Sequence, residues 1–259
     1  MTTTGSGTLA AGRVVTQAEL AAAATGAVVA LLPCTAVLAQ GPDAAAFLHG
    51  QLANDVTGLP VGGVNQSLSL NHKGHAVAEG SVLRTGKNEV RLALEGEADD
   101  RVLAGLREHI IFDQVTLELE PRTARVTLQG ASAAKLLPHV PGKGEFASGT
   151  LGGAGVLAFA RRRSAPGGFD LLVDADDVPV VLAELEHRGA LVVDAAVIDA
   201  LRVRALVPTA AGEGGDGVLP QEAGLARGTA SPTTALVGIA LAADTGALYG
   251  AEGILCDGR

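Results

Sequence analysis

Apolar and polar positions alternate in short runs along much of this chain, and the alternation predicts strands. Asn65 to Leu70 and His75 to Leu83 are two such runs. Between them lies Asn71-His72-Lys73-Gly74, a polar turn with a glycine where a positive φ is easiest. Glu89 to Leu94 places Val90, Leu92 and Leu94 on one face, and Val115 to Leu119 alternates again. Helical spacing appears elsewhere. Val102, Leu103, Leu106 and Ile110 predict a helix over 99–109. Gly41-Pro42-Asp43 opens a helix that runs to about Leu52, with Asp43 as N-cap and Ala44, Phe47 and Leu48 on one face. Upstream, Gln17 to Ala24 reads as a short helix and Thr35 to Gln40 as a buried strand.

The second half repeats part of the first. Val37, Gln40, Gly41, Asp43, Ala44 and Ala45 recur as Val126, Gln129, Gly130, Ser132, Ala133 and Ala134. Both passages read as strand, Gln-Gly turn and capped helix, which points to two related α+β units. Residues 141–155 form a glycine-rich connection. Val156 to Ala160 and Phe169 to Val173 make a hairpin around 165–168. A helix over 179–188 ends at Gly189, a short strand covers 191–193, and Asp194 caps a helix through Arg204. An acidic, glycine-rich loop spans 211–217, and strands are expected over 235–242 and 247–256. Helices and antiparallel hairpins without regular βαβ alternation define an α+β fold.

Composition narrows the picture. Apolar residues make up 47% of the 259 positions and aromatics only 2%, so the core is built from Ala, Val and Leu. The formal net charge is −9, which argues against non-specific nucleic-acid binding. The basic run Arg161-Arg162-Arg163 reads as a solvated strand end. The apolar stretch from Leu20 to Ala39 lacks a basic leader, abuts Glu19 and is broken by Pro33, so a cytoplasmic protein without a membrane span is expected.

Several chemistries lack their residues. His72 and His75 flank a turn without supporting ligands, so no metal site is expected. Five residues rather than four separate Gly80 from Gly86-Lys87, which misses the phosphate-loop spacing. No nucleophile elbow with a Ser-His-acid set is present. Cys34 and Cys256 define neither a disulfide scaffold nor a metal cage. The stretch from Phe47 to Leu83 remains: helix, loop, strand, polar turn, strand. It is a plausible wall for a small-molecule site, and also an ordinary hairpin.

That stretch carries a family resemblance. "AAFLHGQLANDV" at 45–56 and "LNHKG" at 70–74 resemble the N-terminal signature of the YgfZ family. These are folate-binding relatives of the glycine-cleavage T-protein, an aminomethyltransferase, and are linked to iron–sulfur cluster maintenance. "IDALRVRALVP" at 198–208 and "VLPQEAGL" at 218–225 follow in the family's order. The resemblance runs roughly from Thr35 to Leu225. It implies two α+β units, 1–125 and 126–225, around a central cleft, with 226–259 as a shortened C-terminal β segment in place of a full barrel. It implies tetrahydrofolate or a related folate as ligand and iron–sulfur proteins as possible partners.

The departures matter as much. The transferase's paired aspartates fall here on Ala78 and Glu79, so Glu79 alone is left for the catalytic carboxylate role. The resemblance assigns Asn54, Asp55, Asn71, Lys73, Arg204 and Glu222 to folate. Lys73 would meet the ligand's carboxylate tail, while Glu222 reads equally as a loop carboxylate. Arg204 stands where the family has a glutamate; a guanidinium only donates, so weak folate binding is expected. Arg204 also suits the C-terminal end of its helix. The family's Lys-Gly-Cys-Tyr-x-Gly-Gln-Glu segment is replaced by Ala226 to Ala235, which holds no cysteine. Three activities follow from this: an accessory folate-binding protein, a tetrahydrofolate-dependent aminomethyltransferase, or a binding module that has lost its chemistry.

Overall fold

Strands predicted by alternation form two sheets, with helices covering their outer faces. The computed structural model describes residues 14–96, 100–214, 217–226 and 229. The chain begins with α1 (Gln17–Thr25), β1 (Ala27–Leu32), β2 (Cys34–Gln40), α2 (Ala44–Gln51), β3 (Val64–Leu70), β4 (Ala76–Gly86) and β5 (Glu89–Glu95). It continues through α3 (Asp100–Glu108), β6 (Thr116–Leu119), β7 (Thr123–Gln129), α4 (Ala133–Leu136), β8 (Phe146–Leu151), β9 (Ala154–Ala160) and β10 (Gly168–Asp174). A 3₁₀ turn at Ala175–Asp177 leads into α5 (Val178–His187), β11 (Ala190–Val192) and α6 (Ala195–Arg204). One sheet has the order β3-β4-β5-β2-β6, the other β11-β1-β7-β10-β9-β8. The paired strands run antiparallel except β1 with β11, which are parallel. The expected strands over 235–242 and 247–256, and Cys256, lie outside the described residues.

Each sheet has its own apolar layer. Phe47 and Leu48 of α2 and Leu103 and Leu106 of α3 pack on Val37, Val82, Leu92 and Leu94 of the five-stranded sheet. Val181 and Leu185 of α5 pack on Val126, Leu128, Val156 and Leu171 of the six-stranded sheet. The sheets meet where Val64, Leu83 and Ala93 contact Phe159 and Leu172.

Local chemistry explains the boundaries. Thr16 and Glu19 close α1 with a capping box: the Glu19 carboxylate accepts from the Thr16 N–H at 2.9 Å, and Thr16 Oγ1 accepts from the Glu19 N–H at 3.2 Å. Asp194 Oδ1 accepts from the Ala196 N–H at 2.9 Å, as its N-cap position predicts. Asp43 and Ser132 hold N-cap positions but make no side-chain cap bond. Both have ψ near zero rather than the extended value that aims a cap side chain back along the helix. Asp43 Oδ2 accepts instead from the Gln114 N–H at 2.8 Å.

The apolar stretch after Leu20 holds two strands rather than one. β1 joins the six-stranded sheet, and β2 turns away after Pro33 into the other. The connection over 141–155 contains β8, joined to β9 by Gly152 and Gly153, with φ of 60° and 92°. Two positive φ values in a two-residue hairpin loop match the right-handed strand twist.

α6 ends in a Schellman arrangement, with Leu206 N–H donating to Val203 O and Val207 N–H to Arg202 O. The left-handed position falls on Leu206, at φ 52° and exposed to solvent. That conformation costs a non-glycine residue about 1–2 kcal/mol.

Candidate functional site

β4 carries Glu79 into the interior beside Gly80. A Cβ on Gly80 would sit 2.6 Å from Ala93 O, so the close approach of β4 to β5 at this point requires glycine. Glu79 is 4% exposed. Its Oε1 accepts from Arg161 Nη2 at 2.8 Å, and its Oε2 accepts from the Ala210 N–H at 2.6 Å. Burial pushes the Glu79 carboxyl above its usual range; Arg161 pulls the other way and does not fully offset it.

Glu79 is one end of a buried ionic network. Arg161 Nη2 also reaches Glu95 at 3.2 Å, and Arg163 donates to Glu95 at 2.7 Å and to Asp170 at 2.6 and 3.2 Å. Arg125 Nη1 lies 2.7 Å from Glu95 Oε2, outside hydrogen-bonding direction, and Arg125 Nη2 donates to Ala93 O at 2.6 Å. Three guanidiniums thus meet three carboxylates between the sheets. Burial works against the Glu95 anion, but Arg125, Arg163 and Arg161 outweigh it and hold that carboxyl well below its usual range. The expectation of a solvated basic run at 161–163 is therefore corrected: Arg163 is 5% exposed. Its partners lie on β5 and β10, and their charge permits the burial.

A cavity of about 440 Å³ opens beside Glu79. Glu95, Ser69, Gln51 and Thr35 supply its polar lining, and Leu70, Val77, Leu94, Val102 and Leu106 its apolar walls. Gly105 and His109 of α3 complete one side, and Ala210 and Ala211 another. His109 Nδ1 lies 2.7 Å from Gly105 O. A carbonyl only accepts, so this bond assigns the proton to Nδ1 and leaves Nε2 an acceptor in the neutral ring. The segment bearing Ala210 is anchored by Arg202, whose Nη1 reaches both Glu213 oxygens at 2.9 Å.

Of the residues singled out from sequence, Glu79 lines this cavity. Asn54 holds the end of α2 to β3, its N–H donating to Ser67 Oγ and its Nδ2 to Gln66 O. Asp55 caps the next turn, accepting from Gly58 N–H and Thr57 Oγ1 at 2.9 Å. Asn71 Oδ1 accepts from the Lys73 and His75 N–H groups, closing the polar turn in which Gly74 has φ 81°. Lys73 is exposed on that turn. Arg204 is exposed at the end of α6, and Glu222 is exposed with Oε2 accepting from the Leu219 N–H. These six residues are not brought together in the cavity lining. No group of three or more metal-ligating side chains occurs among the described residues, and no described helix is long and apolar enough to cross a membrane.

Sequence reading missed Glu95, Arg161, Arg163 and His109. One signal was available: Arg125, Thr127 and Gln129 alternate on β7 and are all fully buried, a polar face turned inward.

Comparison with known proteins places this arrangement. The glycine cleavage system aminomethyltransferase T of Bartonella henselae superposes with a TM-score of 0.74 over 88% of this chain and 65% of its own, at 16% identity. The fold is thus of the aminomethyltransferase type. The family model of the GCVT N-terminal domain matches residues 14–230, and the chain belongs to that family. Similar curated proteins include the aminomethyltransferases of Geobacillus kaustophilus, 27% identical over 73% of this chain and 55% of that protein, and of Thermus thermophilus, 28% identical over 66% and 51%. The chain spans about half the length of these relatives.

Proposed function

We propose that this chain binds a reduced folate in the cavity beside Glu79, as an accessory protein built on the aminomethyltransferase scaffold. The supporting observation is the cavity's chemistry: a buried carboxylate at one side, a second beside it, and aliphatic walls. A pterin ring presents amino and ring N–H donors along one edge, and an ionised carboxylate is acceptor-only. The volume also falls in the range of small-ligand sites. Glu79 and Glu95 would hold the donor edge, while Val102 and Leu106 would cover the ring. YgfZ-type upkeep of other proteins is the role that the sequence resemblance adds.

Gly105→Phe tests the location. Gly105 is helical and lines the cavity, and a Cβ added there would meet nothing within 4 Å, so the larger side chain enters open space. Removing a helical glycine also favours α3 by up to about 1 kcal/mol. The variant should fold normally and lose tetrahydrofolate binding. Equal affinity in parent and variant would place the ligand elsewhere.

A second reading, one-carbon transfer of the glycine-cleavage type, is favoured by the names of the relatives. Ala78 speaks against it, since one of the paired carboxylates is missing. Incubation with tetrahydrofolate and an aminomethylated lipoyl carrier should give no methylene-tetrahydrofolate. Robust turnover that disappears in Glu79→Ala would establish the transferase instead.

A further inference from the structure

We propose that Arg161 is a positioning residue of the cavity: it fixes the Glu79 carboxylate so that the site presents a hydrogen-bond acceptor to a ligand's N–H edge. Among the described residues, Arg161 is the cation in direct contact with Glu79, at 2.8 Å. The same Nη2 touches Glu95 at 3.2 Å, so one guanidinium nitrogen spans both carboxylates that line the cavity. The Arg161 side chain is 12% exposed, and its Nε is buried without a hydrogen-bond partner among the described residues. That is a costly arrangement for an arginine whose only task is to bind two anions. Its backbone is fixed as well, since Arg161 O accepts from Gln129 Nε2 at 2.9 Å. The Arg161 backbone is thus tied to β7, while its guanidinium reaches Glu79 on β4 and Glu95 on β5.

The groups facing Glu79 act in opposite directions. Burial and the neighbouring Glu95 on β5 favour the protonated acid. Arg161, the Ala210 N–H and the more distant Arg163 favour the anion. His109 of α3 lines the same cavity. Without Arg161, Glu79 would be a buried carboxylate facing another carboxylate, and two like charges at one site raise a carboxyl pKa. The protonated acid spends one oxygen as a donor and is no longer an acceptor-only surface. Ligand affinity would then weaken as pH falls, and would do so at higher pH than in the parent.

The inference relies on the folate reading only for the ligand's identity, so its first readout needs no ligand. The ¹³C carboxyl signal of Glu79 is followed against pH in the parent, Arg161→Met, Arg161→Gln and Arg161→Lys, each checked for folding by circular dichroism. Arg161→Met and Arg161→Gln should raise the titration midpoint by about one pH unit or more, and Arg161→Lys should return it towards the parent. Tetrahydrofolate affinity in the two neutral variants should fall at the same raised pH. Should only Arg161→Lys fold, its midpoint is the readout, and it should stay close to the parent. Unchanged midpoints in the neutral variants, or a lysine variant that titrates like them, would overturn the positioning role. If the midpoints move as expected while tetrahydrofolate fails to bind the parent at any pH, the folate reading fails and the role of Arg161 stands.

Discussion

Asp170→Ala should destabilise the protein by about 3–5 kcal/mol, the cost of removing one partner from a buried ion pair. Asp170 is fully buried on β10, where Arg163 grips both carboxylate oxygens and Arg125 Nε lies 3.5 Å away. Its loss leaves Glu95 as the one carboxylate, among the described residues, in contact with Arg125, which is fully buried, and with Arg163. Glu95 already serves Arg161 as well. The penalty comes from the stranded cations rather than from the lost contact, so Asp170→Asn, which keeps an acceptor oxygen, should cost less. Denaturant unfolding measures both. A change below about 1 kcal/mol for Asp170→Ala would mean that water reaches Arg163 and that the network is not buried as described. Acid gives a second signature. The Glu95 carboxyl is held below its ordinary value of 4.5, so the stability it contributes is complete above that pH and is lost as pH falls through the depressed value.

Gly41→Ala and Gly130→Ala should each cost at least about 2 kcal/mol, from a disfavoured φ and from overpacking together. The two glycines occupy equivalent places in the repeated strand-turn-helix passages, with φ of 140° and 128°. A Cβ on Gly41 would lie 2.0 Å from Gln114 O, and one on Gly130 2.5 Å from Gly26 O. Each contact is with backbone, which a rotamer change cannot relieve. Gly155→Ala is the control, because its Cβ would meet nothing within 4 Å. Thermal unfolding should show two large losses and one negligible change. Two losses no larger than the control's would mean that the turns relax freely.

Much of the architecture was legible because period and punctuation agreed. β3, the Asn71–Gly74 turn, β4 and β5 follow from alternation and one glycine with positive φ. α3 and α6 follow from spacing and, for α6, from Asp194. β1 was hidden because it lies with β2 in one apolar stretch; Pro33 marks the break, and the sheet pairing assigns the two strands to different sheets. β8 was hidden by Gly149, Gly152 and Gly153, although two adjacent glycines between short runs are themselves a hairpin signal.

The site was legible only at Glu79. Polar residues on a strand ordinarily face water, so the alternation of Arg125, Thr127 and Gln129 marked a polar face without showing that it turns inward. The Arg161–Glu79 and Arg163–Glu95 pairs join residues 82 and 68 positions apart, a separation at which no local pattern links the charges. The six polar residues assigned by resemblance mostly serve turns and caps, where Asn and Asp side chains satisfy nearby backbone groups.

The central claim is that the Glu79 cavity takes a reduced folate through its carboxylate. Calorimetric titration of tetrahydrofolate into the parent and Glu79→Leu tests it most directly, with circular dichroism confirming that both are folded. The parent should saturate at one site per chain. Glu79→Leu should bind about tenfold to a hundredfold more weakly, the effect of leaving a buried donor edge unpaired. Equal affinities in the two proteins, or no heat of binding in the parent, would contradict the account.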